Sequence, residues 1–82
     1  MPEHRLVWLE VAEAQYGDLP DELRVFVDRR LGGLLDDPTG EPDAVYNRHS
    51  DQYSVPLGDH GFLFFAVVTQ PPTVIVLRLV LI

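Results

Sequence analysis

Two apolar runs dominate the carboxyl-terminal half of the chain. Residues 62–69 and 73–82 are rich in β-branched and aromatic side chains, and both runs are too short to be long buried helices. The segment 70–72, Gln-Pro-Pro, separates them and favours a turn, because each proline fixes φ and removes a backbone donor. The pattern therefore predicts an antiparallel hairpin.

Two stretches with helical character precede this hairpin. Residues 10–16 are good helix formers and are followed by Gly17, a residue that commonly ends a helix. Asp18 is predicted to cap a second helix, with Pro20 tolerated in its first turn. Apolar residues then recur at helical spacing, which predicts a helix with one side that must be covered by a sheet. That apolar side consists of Leu23, Phe26, Val27, Leu31, Leu34 and Leu35.

The remaining apolar segments predict further strands. Residues 6–9 are expected to form a first strand and residues 52–57 a later one, with Pro56 favouring an edge or a strand end. Residues 44–49 form either a short edge strand or an extended loop. The element order predicts an α+β fold, in which an N-terminal strand and a helical hairpin accompany a three- or four-stranded antiparallel sheet. The hairpin is expected to pack on one face of that sheet.

Composition narrows the class of protein. The 82 residues predict one small domain, residues 1–82, and the absence of cysteine excludes disulfides and thiolate metal sites. We therefore expect a cytoplasmic protein, and we predict neither a signal peptide nor a membrane span. No cofactor and no metal site is expected, because the three histidines lack zinc-ligand spacing and no glycine-rich phosphate loop occurs.

The chain is strongly acidic. Thirteen acidic residues against six arginines give a formal net charge of −7. Such a charge opposes the counterion release that carries most of the affinity for nucleic acids. An acidic surface that repels copies of itself is the simplest interpretation of the charge alone.

The two apolar runs predict a protein-binding face on the sheet. Side chains alternate between the faces of a strand, and two helices can cover only one face, so the other is expected to expose apolar surface. Either a protein partner binds there or the loop 36–50 folds across it. In the same face, Arg78 either pairs with a neighbouring acid or holds a phosphate or carboxylate. The predicted partner-binding face comprises Leu63, Phe65, Val67, Val76, Arg78 and Val80.

Four residues are candidates for chemistry. His49 and Tyr53 lie close together in the sequence, and His60 follows in a turn. Histidine titrates in the physiological range, so His49 or His60 is a candidate acid or base at a ribose 2′-hydroxyl, with Arg78 as a cation. The alternative is that these are ordinary exposed loop histidines.

The arrangement of these segments resembles the RelE/ParE toxin superfamily. The resemblance rests on a short strand, a helical hairpin joined by Leu-Pro, a helix end reading Leu-Leu-Asp-Asp-Pro, and residues 53–59 followed by the strand 62–68. It implies the toxin half of a type II toxin–antitoxin module, with an antitoxin as partner. RelE-like members cut mRNA in the ribosome, and ParE-like members poison DNA gyrase.

The sequence departs from the pattern of RelE-like nucleases at several positions. Ser54, Pro56 and Leu63 stand where the resemblance implies basic residues, and these cations would stabilise the charge that develops on phosphate. Three hypotheses follow. The chain is a ribosome-dependent mRNA endonuclease, a gyrase inhibitor, or a non-catalytic interaction module that forms a homodimer or binds another protein.

Overall fold

The computed structural model describes residues 4–82 and contains two helices packed on a five-stranded sheet. The predicted α+β class is confirmed. The sheet has the strand order β1-β5-β4-β3-β2. In chain order the elements are β1 (Arg5–Trp8), α1 (Glu10–Gly17), α2 (Asp21–Asp36), β2 (Val45–Asn47), β3 (Gln52–Pro56), β4 (Gly61–Thr69) and β5 (Pro72–Leu81).

Four of the strands form the predicted antiparallel sheet, and β1 extends it in parallel orientation. β1 pairs with the first half of β5, from Arg5 opposite Thr73 to Trp8 opposite Val76. The hairpin predicted from the two apolar runs is β4–β5. The uncertain segment 44–49 contains the edge strand β2. The sheet is therefore mixed rather than wholly antiparallel.

The start of α2 differs from the prediction. Asp18 does not cap α2, because it lies at the end of α1, where its backbone N–H donates to the Ala14 carbonyl. Pro20 occupies the N-cap position, and its carbonyl accepts from the backbone N–H groups of Leu23 and Arg24. Leu19 is buried between the two helices' ends and the sheet, so the chain turns inward one residue after Asp18.

A β-bulge decides which side chains of β5 enter the core. Phe64 lies opposite Arg78 and Phe65 lies opposite Val76, so Leu77 is an extra residue in β5. Before the bulge the even-numbered side chains of β5 point into the core, and after it the odd-numbered ones do. Both Val76 and Leu79 are therefore buried. The core consists of Ala12, Leu19, Val27, Leu31 and Leu34 from the helical part and of Val55, Leu57, Leu63, Phe65, Val74, Val76 and Leu79 from the sheet part.

The predicted assignment of the exposed face is therefore wrong. Leu63, Phe65 and Val76 are fully buried on the helix-covered side, and Val67 is half-buried against the same core. Of the six residues predicted to bind a partner, only Arg78 and Val80 are exposed. Alternation separates two faces but does not say which one the helices cover, and the bulge divides β5 between them.

The loop after α2 lies against the helix and not across the free side of the sheet. Arg30 of α2 donates through Nε to the Pro56 carbonyl at 2.8 Å. Its terminal nitrogens lie 3.5 Å from a carboxylate oxygen of Glu41 and 3.0 Å from one of Asp43. These contacts hold the segment 41–43 beside α2, and residues 45–47 extend the sheet as β2 at its edge. The loop 36–50 therefore does not fold across the sheet, which was the second alternative for the apolar face.

None of the helices in the described residues is long and apolar enough to cross a membrane.

Candidate functional site

The face of the sheet that points away from the helices is the candidate site, and we call it the open face. Its side chains alternate with the buried residues of β4, and cross-strand partners continue it over the sheet. One row runs Val45, Ser54, Phe64, Arg78, and the next runs Pro56, Phe62, Val80.

Apolar side chains occupy much of the open face. Phe62 and Val80 are each 41% exposed, and Val68 is 38% exposed. On the adjacent β1, Val7 is 44% exposed and pairs with Ile75. Neighbouring exposed apolar residues of this kind are typical of an interaction surface.

The open face carries no negative charge in the described part of the chain. The five strands contain no aspartate or glutamate, and their only charged residues are Arg5 and Arg78. The acidic residues among residues 4–82 lie on the helices and in the connecting segments. The acidic residues that give the net charge of −7 therefore lie outside the strands, and no strand places a carboxylate on this face.

Arg78 lines a shallow pocket on the open face, at the end of the row that begins at Val45. Its guanidinium Cζ is 4.2 Å from the centroid of the Phe64 ring. Within residues 4–82, Arg78 forms no ion pair, so the predicted pairing with a neighbouring acid is not observed. The pocket has a volume of about 420 Å³, and its lining comprises Val45, Asn47, Ser50, Gln52, Tyr53, Ser54, Phe64 and Arg78.

Tyr53 lines this pocket, yet its ring lies on the opposite side of the sheet from Arg78. The ring stacks on buried Phe65 with centroids 5.3 Å apart, and Tyr46 packs against its other side at 4.8 Å. The Tyr46 hydroxyl donates to Asp51 at 2.7 Å, and this hydrogen bond raises the pKa of Tyr46. The phenol of Tyr53 is thus part of an aromatic stack on the helix-covered side.

The two candidate histidines lie at opposite ends of β3. His49 is in the turn before β3, where its backbone N–H donates to the Asn47 side chain at 3.0 Å. His60 is in the turn after β3, and its ring packs against Phe26 of α2 with centroids 4.8 Å apart. Neither histidine lines the pocket around Arg78.

The structure therefore does not gather the predicted residues into one acid–base site. It adds instead the polar side chains of Asn47, Gln52 and Ser54, which line the same pocket as Arg78. Alternation in β3 predicts that Gln52 and Ser54 share a face, but only the pairing of strands places them near Arg78. In the part of the chain that the structure describes, no group of three or more histidine, aspartate or glutamate side chains is placed to hold a metal ion.

Comparison with known proteins identifies the fold. No family model matches the chain, and no curated protein sequence is similar to it. Several solved structures do match, and they are small bacterial and archaeal toxins. The YoeB/ParE toxin from Agrobacterium tumefaciens superimposes with a TM-score of 0.82 at 10% identity, over 95% of this chain and 98% of the toxin.

Two further similar structures are complexes with an antitoxin. The RelBE2 complex from Mycobacterium tuberculosis gives a TM-score of 0.81 at 18% identity, over 100% of this chain and 94% of the matched chain. The archaeal RelE–RelB complex from Pyrococcus horikoshii gives 0.74 at 16% identity, over 94% and 92% of the two chains. The chain therefore has the fold of the RelE and ParE toxins, as the sequence resemblance implied.

Proposed function

We propose that this chain is the toxin component of a type II toxin–antitoxin module and that an antitoxin segment binds its open face. The observation that carries this assignment is a sheet face that combines exposed apolar side chains with an arginine that has no acidic partner among residues 4–82. The fold supports it, because the similar structures from M. tuberculosis and P. horikoshii are toxin–antitoxin complexes.

The chemistry of the open face defines the antitoxin segment. Phe62, Val68 and Val80 fit an apolar stripe of an amphipathic segment. Arg78 fits an aspartate or glutamate in the same segment, because a guanidinium binds a carboxylate through two parallel hydrogen bonds. The absence of acidic residues from the strands means that such a carboxylate meets no acidic side chain of the strands there.

Binding measurements with charge-reversal variants test this assignment. The probe is the product of a small reading frame beside the gene, purified after co-expression with the chain. We expect Arg78→Glu to weaken binding at least about tenfold, which corresponds to about 1.4 kcal/mol. Arg29→Glu, which changes an exposed arginine on α2, is the matched control and should leave the affinity unchanged. Equal affinities of the two variants would contradict the assignment.

Ribosome-dependent mRNA cleavage is the second candidate activity. The pocket around Arg78 supports it, because a guanidinium, a hydroxyl and amide side chains are groups that bind phosphate and ribose. Its volume of about 420 Å³ is that of a small-ligand site. Neither histidine lines it. The geometry thus supports holding RNA more directly than cutting it.

Cleavage of mRNA on purified ribosomes, mapped by primer extension, tests the activity. If the chain is the nuclease, Arg78→Gln abolishes cleavage and His60→Gln does not, because His60 lies outside the pocket. Intact transcripts with the unaltered chain would remove the nuclease assignment. A supercoiling assay with DNA gyrase then tests the ParE-like alternative, and sedimentation tests the non-catalytic homodimer.

A further inference from the structure

One edge of β5 is paired with β1 in the first half of the strand and is unpaired with any described strand in the second half. β1 pairs with β5 only from Thr73 to Val76, and the Leu9 N–H then donates to the Val76 carbonyl at 3.0 Å before the chain enters α1. Among residues 4–82, the part of β5 from residue 77 onward has a strand neighbour on one side only, which is β4. The second half of β5 is therefore an edge within an otherwise central strand.

A side chain occupies part of this edge. The Gln15 Nε2 of α1 donates to the Leu79 carbonyl at 2.9 Å, and the Leu79 N–H donates to Gln15 Oε1 at 2.8 Å. These are the two hydrogen bonds that a residue of an adjacent strand would make with Leu79. The side-chain amide thus takes the place of a missing strand at one position.

The next position along the edge, Leu81, has no strand neighbour on this side among residues 4–82. Backbone groups point alternately to the two sides of a strand, so the N–H and carbonyl of Leu81 point the same way as those of Leu79. Leu81 is 46% exposed, and it lies opposite Gly61 of β4. Beside the edge is a pocket of about 320 Å³ lined by Gln15, Asp18, Leu19, Pro20, Leu79 and Leu81.

We propose that this edge accepts an extended segment of a partner protein as a sixth strand. Its backbone pairs with Leu81 and, once Gln15 moves aside, with Leu79. Strand addition uses main-chain hydrogen bonds for affinity and pockets for alternate side chains, and here one apolar side chain enters the pocket against Leu19 and Leu79. A lysine or arginine of the segment lies beside Asp18.

Charge identifies the occupant as a different protein rather than a second copy. Each copy carries a formal charge of −7, and the pocket beside the edge is bordered by Asp18. Two copies would repel one another, whereas a basic and apolar segment is attracted. The edge adjoins the open face, which carries the side chains of Arg78 and Val80, but the pairing groups are backbone atoms of Leu79 and Leu81 and the pocket lies on the helix-covered side. Strand addition here is therefore argued independently of the toxin assignment.

Amide hydrogen exchange with a synthetic strand tests the inference. The probe is the acetylated and amidated peptide Lys-Val-Thr-Val-Thr-Val-Lys, added to the full chain. We expect exchange at the Leu81 amide to slow at least about tenfold on binding, since a paired amide exchanges only on opening. Gln15→Ala should strengthen binding about threefold or more, because the peptide no longer displaces a side chain.

Methylated peptides and charge variants supply the controls. N-methylation of the residues that pair with β5 should abolish binding, whereas methylation of the alternate residues should not. Asp18→Asn should weaken binding of the lysine-flanked peptide, and Asp21→Asn, an exposed acid of α2, should not. Equal binding of both methylated peptides, or no change at the Leu81 amide, overturns the inference. Protection of Leu81 that rises with the chain's own concentration would make a second copy the occupant and also overturn it.

Discussion

The guanidinium of Arg78 lies over the ring of Phe64, with Cζ 4.2 Å from the ring centroid. The ring covers one flat side of the guanidinium, and the N–H groups at its edges form no ion pair with an acid among residues 4–82. The two residues lie opposite each other in β4 and β5, beside the bulge at Leu77. A positive group is therefore held in place on the open face without an acidic partner among residues 4–82.

A double-mutant cycle measures this contact. Arg78→Gln removes the cation and Phe64→Leu removes the ring, and the coupling between the two changes is expected to be about 0.5–1 kcal/mol, the value for an exposed cation over an aromatic ring. Urea unfolding of the four proteins gives the coupling. Additive effects of the two substitutions would show that the contact contributes nothing to stability.

Two phenylalanines of β4 test which face the helices cover. Phe65→Ala should lower the free energy of unfolding by about 3–5 kcal/mol, because Phe65 is fully buried. Phe62→Ala should cost about 1 kcal/mol or less, since 41% of Phe62 is already exposed on the open face. Chemical denaturation of both variants measures the two losses in the free energy of unfolding. A larger loss from Phe62→Ala would reverse the two faces.

The strands and the fold class are predictable from this sequence, but the faces are not. The apolar runs that become β4 and β5 have a length and a side-chain composition that only strands satisfy. The alternation does not show which side chains of β4 face the helices, however, because both the odd-numbered and the even-numbered sets are apolar. The bulge at Leu77 then moves Leu79 into the core with Val76. No residue type in β5 predicts a bulge at this position.

The candidate site is predictable only in part for the same reason. Arg78 is recognisable as a charged residue in an apolar strand. Its neighbours Ser54 and Asn47 come from β3 and β2, and their position depends on which strands pair and in what register. Sequence proximity instead suggested His49 and Tyr53, whose rings the structure places away from Arg78 or on the other side of the sheet.

Adjacent glycines near the end of α2 are expected to respond differently to alanine. A Cβ on Gly32 would meet open space, so Gly32→Ala should stabilise the protein by about 0.5–1 kcal/mol through helix propensity. A Cβ on Gly33 would collide with the Glu41 carboxylate, which must then move away from Arg30. The gain at Gly33→Ala should therefore be smaller, by up to about 1 kcal/mol, the worth of a partly exposed ion pair.

Thermal or urea unfolding of the two glycine variants makes the comparison. Glu41→Gln is the control background, because it removes the charge that pairs with Arg30. In that background the difference between the Gly32→Ala and Gly33→Ala variants should shrink. Equal stabilisation by the two alanines in the unaltered chain would mean that Glu41 does not constrain Gly33.

The hydrogen bond from the Tyr46 hydroxyl to Asp51 predicts a pH dependence at the β2–β3 turn. This hydrogen bond, followed by burial and by the charge of Asp51, raises the pKa of Tyr46 above its ordinary value of 10.0. The unfolded chain therefore loses this proton first as the pH rises. The stability that the contact contributes is complete below about pH 10 and is lost as the pH rises through the folded-state pKa.

Substitution at Asp51 separates this contact from general alkaline unfolding. Asp51 has a positive φ of 54°, which glycine also adopts, so Asp51→Gly removes the carboxylate without straining the turn. We expect the pKa of Tyr46 to fall toward 10.0 in this variant, measured by NMR of ring-labelled tyrosine. The pKa of Tyr16, which a hydrogen bond to Asp28 raises, should not change. An unchanged Tyr46 pKa in the variant would show that Asp51 does not hold its proton.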